Sequence, residues 1–533
     1  MSARKVTRRP ERAAFSSELL SSLKWNSQAS PALRAAAKSQ NVDEFCRAWL
    51  ANLSTTFVSR KQPPQGMTAW ALPKVEANGA LGTLLQKVFP AATGRPARSV
   101  MKTARPVEKH LLPLIGYLTE RSESWTPAET IVAGELLLIA GRQLASAEVW
   151  SLWSRLLQET REPGTNRQHE QPEELLLREG EVPFLAGGLL EPWQDAKAIR
   201  EQGRRILVRE LMSRTDRDGT PHAELLPRLP FWLASLVRAT IWADRLQISL
   251  WNPEERQRLS LVLERAVPLY RPGGKLAFSN GETTLVLPLL AAADQALELT
   301  GPAQVLLRTL QEGNRAPAKK RRTTSEVQIM PSVQSDWARM ALLRSDWSPQ
   351  ADSVAISHHR PLPLLDLAAL GQPVLHGPWG LEVQIGDAGI ELAPEWSCSC
   401  WMSDPDADYL ELQMQGPGGL RVERRVLLSR QDHFLLLADC VGARGIKPAD
   451  ARNDGAADSS PSPLALGDRS DGGRGGPDAG NPAESWEADS SRLSPRGPRR
   501  SGPEHAASFF LQRPRTGVAT DGARRRTVCA ADL

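Results

Sequence analysis

Three short stretches of this 533-residue chain carry side chains able to move protons or hold an anion. The first is DGTPHAE (residues 218–224), which sets Asp218, His222 and Glu224 just ahead of the apolar run FWLASLVRATIWA. The second is HHRPLPLLDL, in which His358, His359 and Arg360 precede a strand-like segment containing Asp366. The third is QSDWARMALLRSDW (residues 334–347), which ends its apolar run at Arg344. An imidazole exchanges a proton near neutral pH, and a guanidinium offers paired donors to a carboxylate. Each stretch also has a plain structural reading. Asp218 and Gly219 form a turn, Asp218 or Thr220 caps a helix, and Glu224 sits in its first turn. His358 and His359 read equally well as a surface turn.

The elements that must position these residues are legible from periodicity. Between residues 106 and 313 apolar side chains recur at helical spacing, as in residues 129–157, 198–214 and 253–270, with Pro and Gly between them. This predicts consecutive antiparallel helix pairs. NRAPAKKRRTTSE follows, and its basic run from Lys319 to Arg322 reads as a solvated linker over residues 314–326. From 327 to 441 the period becomes two, in WGLEVQIGDAGIEL, DYLELQMQ, LRVERRVLLS and HFLLLADCV, which predicts antiparallel sheet. Helices followed by strands, not interleaved with them, predict separate all-α and all-β domains. Residues 1–105 mix short helical patterns with Pro, Gly and Arg. Residues 442–533 are rich in Gly, Pro, Ser, Arg and Asp without apolar periodicity, and read either as a disordered tail or as a reading-frame shift near residues 441–447. On that reading the sheet domain is truncated.

Composition narrows the function classes. A net charge of +5 is compatible with a polyanionic partner but is no nucleic-acid signature. Five cysteines (Cys46, Cys398, Cys400, Cys440, Cys529) imply no disulfide framework, and the C-x-C at Cys398 and Cys400 reads as buried thiols. Trp is abundant, at 16, and serves either core packing or sugar stacking. Tyr is scarce: Tyr117, Tyr270 and Tyr409 are the three. The basic opening MSARKVTRRPERAAF lacks the apolar run of a signal peptide, and no stretch has the length of a membrane span, so the expected location is cytoplasmic. Arg421, Arg424, Arg425 and Arg430 read as a basic strand edge.

The order of helical pairs and then strands, with residues 193–224, 334–347 and 358–380, resembles the heparinase II/III-like family of polysaccharide lyases over roughly half the chain. The resemblance implies an incomplete (α/α) toroid followed by an antiparallel β-sandwich, an α+β multidomain fold. It implies β-elimination at a 4-linked uronate of an acidic polysaccharide, in a cleft between toroid and sandwich, and hence a periplasmic or cell-envelope setting. By position His359 matches the family's sandwich histidine, with His222 as the other catalytic candidate. Glu224, Arg344 and Arg360 are the implied substrate-binding residues. No cofactor is required, although some members hold a metal, and His376 and His433 are the candidates for a structural zinc or calcium. Two features depart from the family. Pro227, Arg228, Leu229 and Pro230 stand where the family often has Tyr-His, and Glu179 and Glu181 stand where its Asn-His pair is expected. Carboxylates there would repel a polyanion. The alternative is therefore a catalytically inactive, carbohydrate-binding scaffold of the same fold.

Overall fold

The computed structural model describes residues 17–56, 71–72, 79–88, 104–120, 124–161, 171–272, 275–278, 286–312, 330–385, 388–389, 395–443 and 505–511. The basic linker, the N-terminal 16 residues and most of the 442–533 tail, including the frame-shift question, lie outside the described residues.

The helical unit starts its helices as the sequence chemistry directs. Thr126 and Glu129 form a capping box around Pro127 to open the helix Pro127–Ala140, and Asn252 with Glu255 does the same around Pro253 for Pro253–Ala266. The run at residues 129–157 divides in two, because a short 3-10 turn at Gly141–Gln143 separates Pro127–Ala140 from Ser146–Arg161. Pro127–Ala140 and Leu229–Leu246 are buried nearly all round, whereas Ala196–Ser213 and Pro253–Ala266 bury one side only. Helices buried all round form an inner layer, and amphipathic ones form the wall around it. Gly203 lets Ala196–Ser213 close on the helix Val182–Leu189: a Cβ there would lie 2.5 Å from the Phe184 amide nitrogen. Helices before residue 105 join the same core. Trp49 donates its indole N–H to the Leu189 carbonyl at 3.2 Å, and Phe45 packs edge-on against Trp153 at 4.8 Å.

The strands form two five-stranded antiparallel sheets and a small two-stranded one among the described residues. The first sheet is a meander of β1 (Val333–Ser335), β2 (Met340–Arg344), β3 (Ser353–Ser357), β4 (Leu364–Ala369) and β5 (Gln372–Pro378). The small pair is β6 (Gln384–Ile385) and β7 (Ala388–Gly389). The second sheet orders β12 (His505–Leu511), β11 (Phe434–Ala443), β10 (Leu420–Ser429), β9 (Ala407–Gln415) and β8 (Ser397–Ser403) side by side. β2 and β3 are buried at every residue. Alternation explains this: Met340 and Leu342 join the helical core, while Ala341 and Leu343 join the core between the sheets.

Two expectations need correction. The arginines of β10 do not line an edge, because β9 and β11 pair along both sides of that strand. Arg424 is buried, stacked over Trp379 and Trp396 at 4.6 and 5.1 Å, and Arg430 is buried against Asp408 at 2.6 Å. Nor does the sheet end at β11, since β12 from the tail pairs with it from Val441↔His505 to Leu435↔Leu511.

Candidate active site

The helical unit and the first sheet meet at two turns. On the helical side, residues 214–222 leave Ala196–Ser213 and fold back, with Asp218 accepting from both the amide and the hydroxyl of Thr220 at 3.0 Å. Gly219 makes the turn with φ +88, and a Cβ there would lie 2.4 Å from the Leu261 backbone. On the sheet side, residues 335–339 link β1 to β2. Ser335 binds the two together, accepting from the Ala338 amide at 3.0 Å and donating to Asp216 at 2.5 Å. The Ala223 amide adds a 2.7 Å bond to the Ala338 carbonyl.

This junction brings His222 and His359 together, with ring centroids 6.2 Å apart. Glu224 and Arg360 join them. Arg214 holds Glu224 at 2.7 Å, and Arg360 reaches the His359 ring at 3.1 Å. Sequence reasoning did not single out Trp337, whose ring meets His222 edge-on at 5.6 Å, or Arg339, which donates to the Trp396 carbonyl at 2.6 Å. The only sequence signal for Trp337 is its place in the turn SDWAR between two strands.

Hydrogen bonding assigns the ring protons. Arginine can only donate, so His359 Nε2, which accepts from Arg360 Nε, carries a lone pair. The neutral ring then holds its proton on Nδ1, which donates to Ser357 Oγ at 2.8 Å. His222 is the reverse. Its Nδ1 accepts from the Glu224 amide at 3.3 Å and caps the 3-10 turn Ala223–Arg228, so the neutral ring carries its proton on Nε2. The cap is thus His222 itself, while Asp218 and Thr220 serve the preceding turn. Burial lowers the pKa of His222, against the raising influence of Glu224; Arg214 and Arg339 lower it further. Burial likewise lowers His359, followed by the charges of Arg360 and His222. Both rings therefore favour the neutral form, one presenting a lone pair and the other an N–H.

The remaining candidates lie elsewhere. Arg344 is turned inward at 2% exposure, and donates to the carbonyls of Asp346 (2.9 Å), Pro268 (3.0 Å) and Ser348 (2.5 Å). Its guanidinium locks the β2 end onto the helical unit and is not offered to a substrate. Glu181 repels nothing: it is fully buried in a two-pronged pair with Arg238 at 2.6 and 2.7 Å, and Glu179 pairs with Arg178. His376 and His433 each bond a different aspartate, Asp366 at 3.0 Å and Asp352 at 2.6 Å. No group of three metal-ligating side chains converges among the described residues. Tyr270 is wholly buried, and burial pushes its phenol far above the ordinary range. Tyr409 donates to Glu411 at 3.0 Å on β9. A cavity of about 470 Å³ bounded by Gln28, Asn52, Glu191, Arg200 and Gln247 shares no residue with the histidine pair. The histidines at the junction, not that cavity, combine the groups able to transfer a proton.

No family model matches the sequence, and no curated protein matches it. Solved structures do. Heparan sulfate lyase HepC from Pedobacter heparinus aligns at 12% identity over 80% of this chain and 78% of its own, with a TM-score of 0.50. Heparinase III aligns at 13% identity over 80% of each chain, with a TM-score of 0.53. A further heparinase III gene product gives 14% identity, 81% and 80% coverage, and a TM-score of 0.51. The chain shares the fold of these lyases. In this chain the histidine pair lies where the helical unit meets the first sheet. No helix among the described residues is long and apolar enough to cross a membrane.

Proposed function

We propose that the protein is a polysaccharide lyase that cleaves a uronate-containing acidic polysaccharide by β-elimination. One observation carries this reading: two neutral imidazoles lie 6.2 Å apart across the seam, one with a lone pair on Nε2 (His359) and the other with an N–H on Nε2 (His222). The shared fold with proteins described as heparan sulfate lyases supports the substrate class.

In this mechanism His359 Nε2 takes the proton from the carbon α to the uronate carboxylate. The electron pair forms the new double bond as the bond to the β-oxygen breaks. Arg360 is exposed and leaves Nε2 to pair with the carboxylate. The His222 N–H donates to the carboxylate oxygens as enolate charge develops, a role suited to a neutral imidazole. The His359 imidazolium then returns its proton to the departing oxygen. One ring then serves as base and acid on the same face of the sugar.

The test is a lyase assay over heparan sulfate, chondroitin sulfate and alginate, following the ultraviolet absorbance of the unsaturated product. Product from at least one polymer is expected. Saturable oligosaccharide binding without product would instead favour the inactive carbohydrate-binding scaffold.

A further inference from the structure

The seam exposes an indole that the proton-transfer scheme does not use. Trp337 is 46% exposed, whereas Trp49, Trp153, Trp232, Trp242 and Trp396 are at 1% or below. An indole in water offers a large apolar face that a partner at the seam could cover. Its turn is fastened from both sides, by Ser335 to Asp216 and by the Ala338 carbonyl to the Ala223 amide. Arg339 completes the turn at φ +55 and is tied to the Trp396 carbonyl. Trp337 is therefore held in place without being buried.

Its location gives it a task. Trp337 lies beside His222, with ring centroids 5.6 Å apart, and His222 lies in turn 6.2 Å from His359. The 5.6 Å between Trp337 and His222 is comparable with the advance of one sugar along a polysaccharide, so a sugar over the indole would adjoin the uronate at the histidine pair. Pyranose rings carry C–H groups on their faces, and these dock on an indole face. We propose that Trp337 is a sugar-stacking platform for the residue next to the scissile uronate, and that it sets the register of the chain over the histidine pair. This rests on the lyase reading above. Trp337 is a positioning residue: it holds the neighbouring sugar and does not touch the reacting atoms.

The experiment compares wild type, Trp337→Ala and Trp337→Phe in two assays: steady-state lyase kinetics on the best polymer, and calorimetric binding of a tetrasaccharide from that polymer at low temperature. Thermal melts confirm that all three fold. The platform predicts that Trp337→Ala raises KM about tenfold with kcat changed by less than about threefold, and that Trp337→Phe recovers most of the loss. Unchanged KM and tetrasaccharide affinity in Trp337→Ala, with wild type active, would overturn the platform and leave the lyase reading intact. A wild type that binds the tetrasaccharide without cleaving it, with affinity lost in Trp337→Ala, would sink the lyase reading and keep the platform. Wild type that neither binds nor cleaves overturns both. A fall in kcat with KM unchanged would also reject the platform, since it would mean Trp337 acts on the chemistry through His222.

Discussion

His359 is held neutral by burial and by the Arg360 charge beside it, and only the neutral ring abstracts a proton. A lowered pKa keeps the base free at more acidic pH, so the acid limb of kcat/KM should fall below the ordinary imidazole value of 6.5. Arg360→Gln removes one depressing charge and should move that limb to higher pH; a limb that stays put would rule out the coupling. The neighbouring His358 is buried at 1% exposure, and burial, the leading cause, pushes it down to about 4. Here the unfolded chain binds a proton that the folded one refuses. Stability from this site is full above about pH 6.5 and is lost as pH falls towards about 4, on the order of 3 kcal/mol in all. Urea titrations of His358→Gln should therefore show a shallower loss of stability than wild type across that window. The histidines were legible in the sequence because they sit in turns beside clear elements. The burial of Arg344 was not, because a charge at the end of an apolar run does not reveal whether water or three carbonyls await it.

At the scale of elements, helices and strands follow from capping residues and from the change of apolar period. Partners distant in sequence do not. The pair of Glu181 and Arg238 joins the π-helical turn Leu176–Glu181 to a helix 57 residues away, and nothing local announces it. Strand order is equally hidden: β10 read as an edge only while its neighbours were unknown, and β12 lies in a stretch without apolar periodicity. Arg344 shows what the distinction costs. Replacing it with Met leaves the buried Pro268 carbonyl and the half-buried bonds to Asp346 and Ser348 without their charged donor, and should destabilise the fold by about 2–4 kcal/mol. The folded fraction should keep its KM, because the guanidinium is committed to the Asp346, Pro268 and Ser348 carbonyls. A large rise in KM with stability intact would return Arg344 to the substrate.

For the whole molecule, the sequence predicts two domains, and the structure joins them through one continuous core. Met340, Leu342 and Ala355 of the first sheet pack with the helical residues, and Asp366 accepts from the Phe278 amide at 2.9 Å and pairs with Arg271. Calorimetry should therefore record a single main unfolding transition for the helical unit and the first sheet; two well-separated transitions would mean that the seam contributes little. The seam also explains why the site was only partly legible. Its residues come from 214–224 and 335–360, and the contact between Ala223 and Ala338 that joins these stretches has no local signature. The central claim is that His359 is the base of an elimination at this seam. The most direct test is kcat/KM of His359→Ala against wild type on the best uronate polymer, with thermal melts to show that the variant is folded. The account predicts a loss of at least about 100-fold with the melt unchanged. A folded variant that forms unsaturated product at the wild-type rate would contradict it.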